Sequence, residues 1–311
     1  MLVTTSDPKT IFPYLQKIQT PKNRSHKGEN GRVLVIGGSS LFHSASLWAA
    51  EIASHIVDIV HYSSTVENNE IFLSLKKKFR NGIVVPKKDI PLYAKEDDAI
   101  LVGPGMVRGE KNSKFPSAGR RTNFQFQEII KIKDESAYTR ALTKYLLETY
   151  PGKQFVLDAG VLQMMDTEWL THLKKKPVLT PHQVEFLDLF GVDVRSKNQE
   201  EKMKIVFEFA KKYQSVILLK SVDDIISDGI QTVRVAGGNP GLTKGGTGDL
   251  LAGLATSLAA KSSGFESAVV ASFLLKKTGE HLSMDNGYWY NISDIIEKLP
   301  SVFKRLNQSE L

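Results

Sequence analysis

The sequence predicts an α/β fold: a doubly wound, mostly parallel sheet with helices on both faces. Three observations point to it. Short, near-continuous apolar runs such as "RVLVIGG", "DAILVGPG" and "SVILLK" read as strands buried on both faces. Segments with helical spacing separate most of these runs, the alternation that builds parallel sheets. Several runs end in glycine or a polar residue at the point where ligands gather in open α/β sheets. Internal repeats and low-complexity linkers are absent from the 311 residues, so the economical reading is one domain, 1–311.

In chain order, a short amphipathic helix carrying Ile11, Tyr14, Leu15 and Ile18 precedes a polar turn near Arg24. A buried strand over 32–40 follows, then a helix over 44–56 and strands over 57–62, 82–85 and 98–105. Further on, a helix spans 135–149, a strand over 154–160 delivers an acid, Asp158, at its end, and a strand over 176–182 feeds a helix over 183–190. An amphipathic helix over 199–213 leads to strands at 215–220, 224–227 and 232–236, the last two a hairpin about Asp228-Gly229. Helices near 249–260, 265–284 and 292–306 close the chain.

Composition narrows the function class. With 41% hydrophobic and 24% charged residues the chain resembles ordinary globular proteins. No apolar run reaches the roughly 18 residues of a membrane span, and the first residues lack a signal peptide's apolar centre. Zero cysteines exclude disulfides, thiolate ligands and a cysteine nucleophile, and fit a cytoplasmic location. The seven histidines never fall at helical metal-ligand spacing. A formal charge of +7 raises the question of nucleic acid, but the densest basic stretch, 108–121, lacks interleaved aromatics. It reads as a solvated loop, mobile without ligand, with anion holding as the alternative. Neither a nucleic-acid nor a membrane partner is expected; a homo-oligomer is compatible with the sequence.

The most informative stretch is "GGNPGLTKGGTGDLLAG", 237–253, which holds seven glycines and then becomes helical. A helix start leaves about four N–H groups unpaired and carries partial positive charge, and glycines let those donors converge on an anion. The spacing matches neither GxxxxGK[ST] nor GxGxxG. By themselves the glycines serve a tight turn before a buried helix equally well. Asp249 decides between the two. A carboxylate beside an anion hole repels phosphate, yet it suits taking a proton from a hydroxyl while the backbone holds the phosphoryl group under attack.

"GNPG" with "GGTGDLLAG" resembles the ADP/ATP-dependent NAD(P)H-hydrate dehydratases of the ribokinase-like superfamily. "HKGENGRVLVIGGS" at 26–39, "VGPGM" at 102–106, "VLDAG" at 156–160, "LTPHQVEF" at 179–186 and "LLKS" at 218–221 follow in that family's order. The resemblance implies a ribokinase-like fold and an enzyme that uses ADP or ATP with Mg²⁺. It would phosphorylate the ring hydroxyl of NADH hydrate or NADPH hydrate and expel phosphate. It further implies Asp249 as base and Gly246, Thr247 and Gly248 as anion hole. Lys220 and Gly248 would hold nucleotide phosphates; Ala45, Gly105, His182 and Asn239, with Asp249, would contact the hydrate. Glu185 would reach Mg²⁺ through water. The companion epimerase domain often fused at the N-terminus has no room in this reading.

Departures from the family pattern stand at Thr243-Lys244, Gly160, Ser44-Ala45-Ser46, Val107, Gln183-Val184 and Ser221 to Asp224, whose acids would sit poorly beside phosphate. Two rivals remain open: a small-molecule kinase of the same superfamily, for a thiazole or sugar alcohol, and a catalytically silent nucleotide-binding protein.

Overall fold

The computed structural model describes residues 1–109 and 125–308. From residue 110 onward, the basic stretch lies outside the described residues, and with it the expectation of a mobile loop. In chain order the elements are β1 (Leu2–Thr4), α1 (Phe12–Leu15), β2 (Arg32–Ile36), α2 (Ser44–Ala53), β3 (Ile59–Ser63), α3 (Val66–Ser74), β4 (Ile83–Val84), α4 (Ile90–Glu96) and β5 (Ala99–Val102). Then come α5 (Phe126–Ile129), α6 (Glu135–Thr149), β6 (Gln154–Leu157), α7 (Gly160–Met164), β7 (Val178–Leu179), α8 (Gln183–Phe190) and α9 (Gln199–Lys212). The chain closes with β8 (Val216–Leu219), β9 (Asp224–Ser227), β10 (Thr232–Ala236), α10 (Thr247–Ala259), α11 (Gly264–Asn286) and α12 (Ile292–Asn307).

One sheet of ten strands runs in the order β1-β10-β9-β8-β7-β6-β5-β2-β3-β4. Every pairing is parallel except the two made by β9. Successive side chains of a strand point to opposite faces, and the two cores follow that alternation. Val33, Val35, Leu101, Val156 and Leu218 face a core built with α2, α10, α11 and α12. Leu34, Ile36, Ile100, Leu157 and Leu219 face the other core, under α4, α6, α8 and α9. Strand order reverses between β2 and β5, so a crevice opens beyond their C-terminal ends.

The expected strands all occur, in most cases a few residues shorter, and the β9–β10 hairpin pairs Ser227 with Thr232. Five elements escape the periodicity reading: β1, α3, α4, α5 and α7. β1 has only three residues and pairs in parallel with β10, more than 200 positions away, so local sequence carries no trace of it. The expected N-terminal helix shrinks to a 3₁₀ turn, Pro8–Ile11, and the single turn of α1. Among the described residues, no helix is long and apolar enough to cross a membrane.

Candidate active site

The glycine cluster forms the entry to α10. Gly246 caps the helix in the left-handed region, φ 103°, and a Cβ there would lie 2.6 Å from the Trp48 ring. Only glycine meets both demands without strain. Among the described residues, the backbone N–H groups of Gly245, Gly246 and Gly248 find no protein acceptor. The buried hydroxyl of Thr247 is likewise without a partner. Three amides and a hydroxyl stand unpaired at the positive end of a helix, an arrangement that favours an anion; the Thr247 hydroxyl is buried, where an unpaired polar group is costly.

Beside this site stand four charged groups delivered by four different elements. Lys220 follows β8, and its Nζ lies 2.8 Å from Asp158 Oδ1 and 3.8 Å from Glu185 Oε2. Their side chains are 18%, 2% and 6% exposed, so little water screens them. Burial opposes the Lys220 charge, but Asp158, Glu185 and then Asp249 outweigh it and hold its pKa above the ordinary value. Glu185 is pushed up by burial, an effect that Lys220 offsets in part. Asp249, in the first turn of α10, is raised to about 7 by burial and by the neighbouring Asp158, with Lys220 pulling the other way. A carboxyl poised near neutral pH can take up a proton and release it again.

Asp158 is the residue whose role the sequence reading left unassigned. Thr180 donates to Asp158 Oδ1 at 2.8 Å, alongside Lys220. A polar residue closing a buried strand run was the available signal. Its partner could not be read, because 62 positions separate it from Lys220.

His182 begins α8. Its Nδ1 accepts from the amides of Val184 and Glu185, both at 3.1 Å, while its own amide donates to Glu185 Oε2 at 2.8 Å. This capping box fixes the Glu185 carboxylate near Lys220. A cavity of about 230 Å³ adjoins the quartet, and Ala45, Gly105, Glu185 and Asp249 line it with Phe42, Met106, Arg108 and Gln163. The structure thus gathers Ala45, Gly105, Glu185 and Asp249, with Lys220 and Gly248 close by. A Cβ at Gly248 would begin 3.4 Å from Lys220 Nζ. Asn239 is not among the cavity's lining residues. Its Oδ1 accepts from Gly241 N–H and Tyr290 O–H, each at 2.8 Å, while its Nδ2 is buried without a partner.

The departures acquire physical reasons. Asp224 does not face a phosphate: it is buried and held by Ser221 N–H, by Ser272 Oγ at 2.7 Å and by Lys276 at 3.5 Å. Asp223 lies 3.7 Å from Arg234. These acids are neutralised by the fold, which corrects the expectation that they sit poorly beside phosphate. Lys244 turns away from the α10 entry, donating to the Tyr288 carbonyl at 2.6 Å over the Tyr290 ring. A side chain at Gly160 would collide with the Met106 carbonyl, so only glycine fits there.

The fold places the chain among the ribokinase-like α/β proteins. A ribokinase-like superfamily protein of Enterococcus faecalis V583 superposes with a TM-score of 0.77 at 21% identity, covering 98% of this chain and 95% of that one. ADP/ATP-dependent NAD(P)H-hydrate dehydratase of Bacillus subtilis, co-crystallized with ATP/Mg²⁺, gives 0.73 at 21% identity, covering 96% and 97%. The family model described as NAD(P)H-hydrate dehydratase matches residues 33–301. ADP-dependent (S)-NAD(P)H-hydrate dehydratase of Nitrosopumilus maritimus is 32% identical over 300 residues, 95% of this chain and 97% of that protein. The chain belongs to the NAD(P)H-hydrate dehydratase family. It spans about half the length of the matched relatives that are described as bifunctional NAD(P)H-hydrate repair enzymes, 51% of the one from Methanocaldococcus jannaschii.

Proposed function

We propose that this chain returns hydrated NADH or NADPH to the working cofactor in a reaction driven by ADP or ATP, in the cytoplasm. The observation that carries the reading is Asp249, held near pKa 7 beside the unpaired donors of the α10 entry. The nucleotide, when bound, supplies the phosphoryl group that makes the ring hydroxyl a good leaving group. Gly246, Thr247 and Gly248 bind that group through amides and a hydroxyl, and the cationic Lys220 neutralises the nucleotide's phosphates. Asp249 takes the proton of the attacking hydroxyl. Departure of phosphate, with loss of a proton from the adjacent ring carbon, then restores the double bond. Ala45 and Gly105 present small walls to the dihydronicotinamide ring, and His182 orients Glu185. Asn239, whose buried amide has no protein partner, offers a further donor to the ligand. Glu185 already accepts from His182 and lies close to Lys220, so its oxygens fit a hold on Mg²⁺ through water rather than direct ligation.

The test mixes the protein with hydrated NADH, Mg²⁺ and either nucleotide and follows the return of dihydronicotinamide absorbance. No return with ADP or ATP refutes the reading, and phosphorylation of a plain alcohol instead identifies a small-molecule kinase.

A further inference from the structure

The side of the sheet opposite the active site carries a concavity of its own. A cavity of about 490 Å³ opens at the first residues of β6 and β8, Gln154 and Val216, and is bounded by the turn from α10 into α11. Its size falls within the roughly 300–1,000 Å³ typical of small-molecule sites. α10 begins beside the catalytic glycines and ends at this cavity; its 13 residues, at 1.5 Å each, put about 20 Å between the two. None of Ala45, Gly105, Glu185, Lys220 or Asp249 lines it.

Its wall holds unused donors and acceptors. Gln154 is only 6% exposed; its Nε2 donates to the carbonyls of Phe155 at 3.2 Å and Lys176 at 3.1 Å. Among the described residues, the other end of that amide, Oε1, has no donor. A buried side chain left half-satisfied in the wall of a cavity marks a place for a ligand's donor. Gly264 and Phe265 open the 23-residue α11, and among the described residues their amides find no acceptor, whereas Glu266 N–H is taken by Ser263 Oγ. Free amides at a helix start favour an anion. Lys175 is exposed and, among the described residues, has no ion pair; Lys176 donates to the Asp228 carbonyl at 2.6 Å but meets no carboxylate. The third lysine of the wall, Lys261, is paired with Asp98 at 3.1 Å. Glu266, in the first turn of α11, is neutralised by Lys17 at 2.9 Å. Asp228, an acid in the same wall, uses Oδ1 for the amides of Ile230 and Gln231, both at 2.9 Å, and keeps Oδ2 as an acceptor.

We infer that this cavity is a second, non-catalytic site, which binds a small hydroxylated phosphate ester. Lys175, Lys176 and the two α11 amides take the phosphate, while Gln154 Oε1 and Asp228 Oδ2 accept from the hydroxyls. The inference does not depend on the proposed function, since no residue of that reading takes part.

Titration of the whole chain with ribose 5-phosphate, followed by amide NMR and with ribose as the comparison, tests it. Ribose 5-phosphate is expected to shift the Gly264 and Phe265 amides and the Gln154 side-chain amide. It should bind at least about tenfold tighter than ribose, the size of one charge-assisted contact. Lys175→Glu, a change at an exposed position, should weaken ribose 5-phosphate at least about tenfold while leaving Tm unchanged. No shift at the start of α11, an affinity no better than that of ribose, or one unchanged in Lys175→Glu would overturn the inference. Shifts confined to the Gly246 and Gly248 amides would assign the binding to the active site and overturn it as well.

Discussion

Replacing Asp249 with asparagine separates chemistry from folding, because the two respond in opposite directions. Burial and Asp158 raise the carboxyl from an ordinary value near 3.8 to about 7. In the folded protein, the ionised form is therefore disfavoured relative to the unfolded chain. That penalty is absent well below pH 3.8, where both states are protonated, grows as the unfolded carboxyl ionises, and is complete above pH 7. Three pH units correspond to about 4 kcal/mol, which residual solvent contact reduces to about 1–2 kcal/mol. Asparagine is close in size and neutral at every pH. Asp249→Asn should therefore raise Tm by a few degrees at pH 8 and by roughly a third as much at pH 5, where the unfolded carboxyl is already ionised and the folded one is not. Turnover should fall by about 10²–10⁴, the usual loss of a general base, and nucleotide affinity should hold or improve as repulsion is relieved. Calorimetric melting at the two pH values, nucleotide titration and the absorbance assay on one preparation give all three readouts. Turnover within a few-fold of the wild type would refute the assignment of Asp249 as base. A lower Tm at pH 8 would refute the electrostatic account.

In the unaltered protein, kcat/KM should drop on acidification through about pH 7, as Asp249 loses its basic form, and pH-rate measurements with saturating Mg²⁺ check it. Lys220→Ala should weaken nucleotide binding by roughly 1.5–3 kcal/mol. It should also destabilise the fold by about 3–5 kcal/mol, since buried Asp158 loses its ion partner; urea unfolding beside nucleotide titration reads both. Gly246→Ala forces a Cβ against Trp48 at a positive φ and should cost about 1–3 kcal/mol along with nucleotide affinity, with unchanged melting and binding as the contrary outcome. Asp224→Ala strips the carboxylate partner from buried Lys276, leaving it the Val222 carbonyl, and should lower Tm clearly while nucleotide affinity persists; lost affinity in a stable variant would return Asp224 to the site.

The sequence by itself determined the fold class, because a strand buried on both faces must be apolar throughout and helices over the sheet must carry one apolar stripe. It also determined the α10 entry: only glycine tolerates the Gly246 backbone, and an aspartate three residues later is legible as chemistry without any partner in view. The tertiary structure alone decided what surrounds that aspartate. Asp158, Glu185 and Lys220 reach it from the ends of three separate elements, and sequence spacing does not encode which strand ends meet across a parallel sheet. His182 shows the same division, since its position before α8 was visible while its use as the cap that aims Glu185 was not. Asp224 shows it most sharply. As a string, Ser221 to Asp224 places acid beside the nucleotide lysine; in space, the next residues enter β9 and turn that acid into the sheet, toward Ser272 and Lys276 of α11. Charge in a sequence has a sign but no direction, and direction comes only from packing.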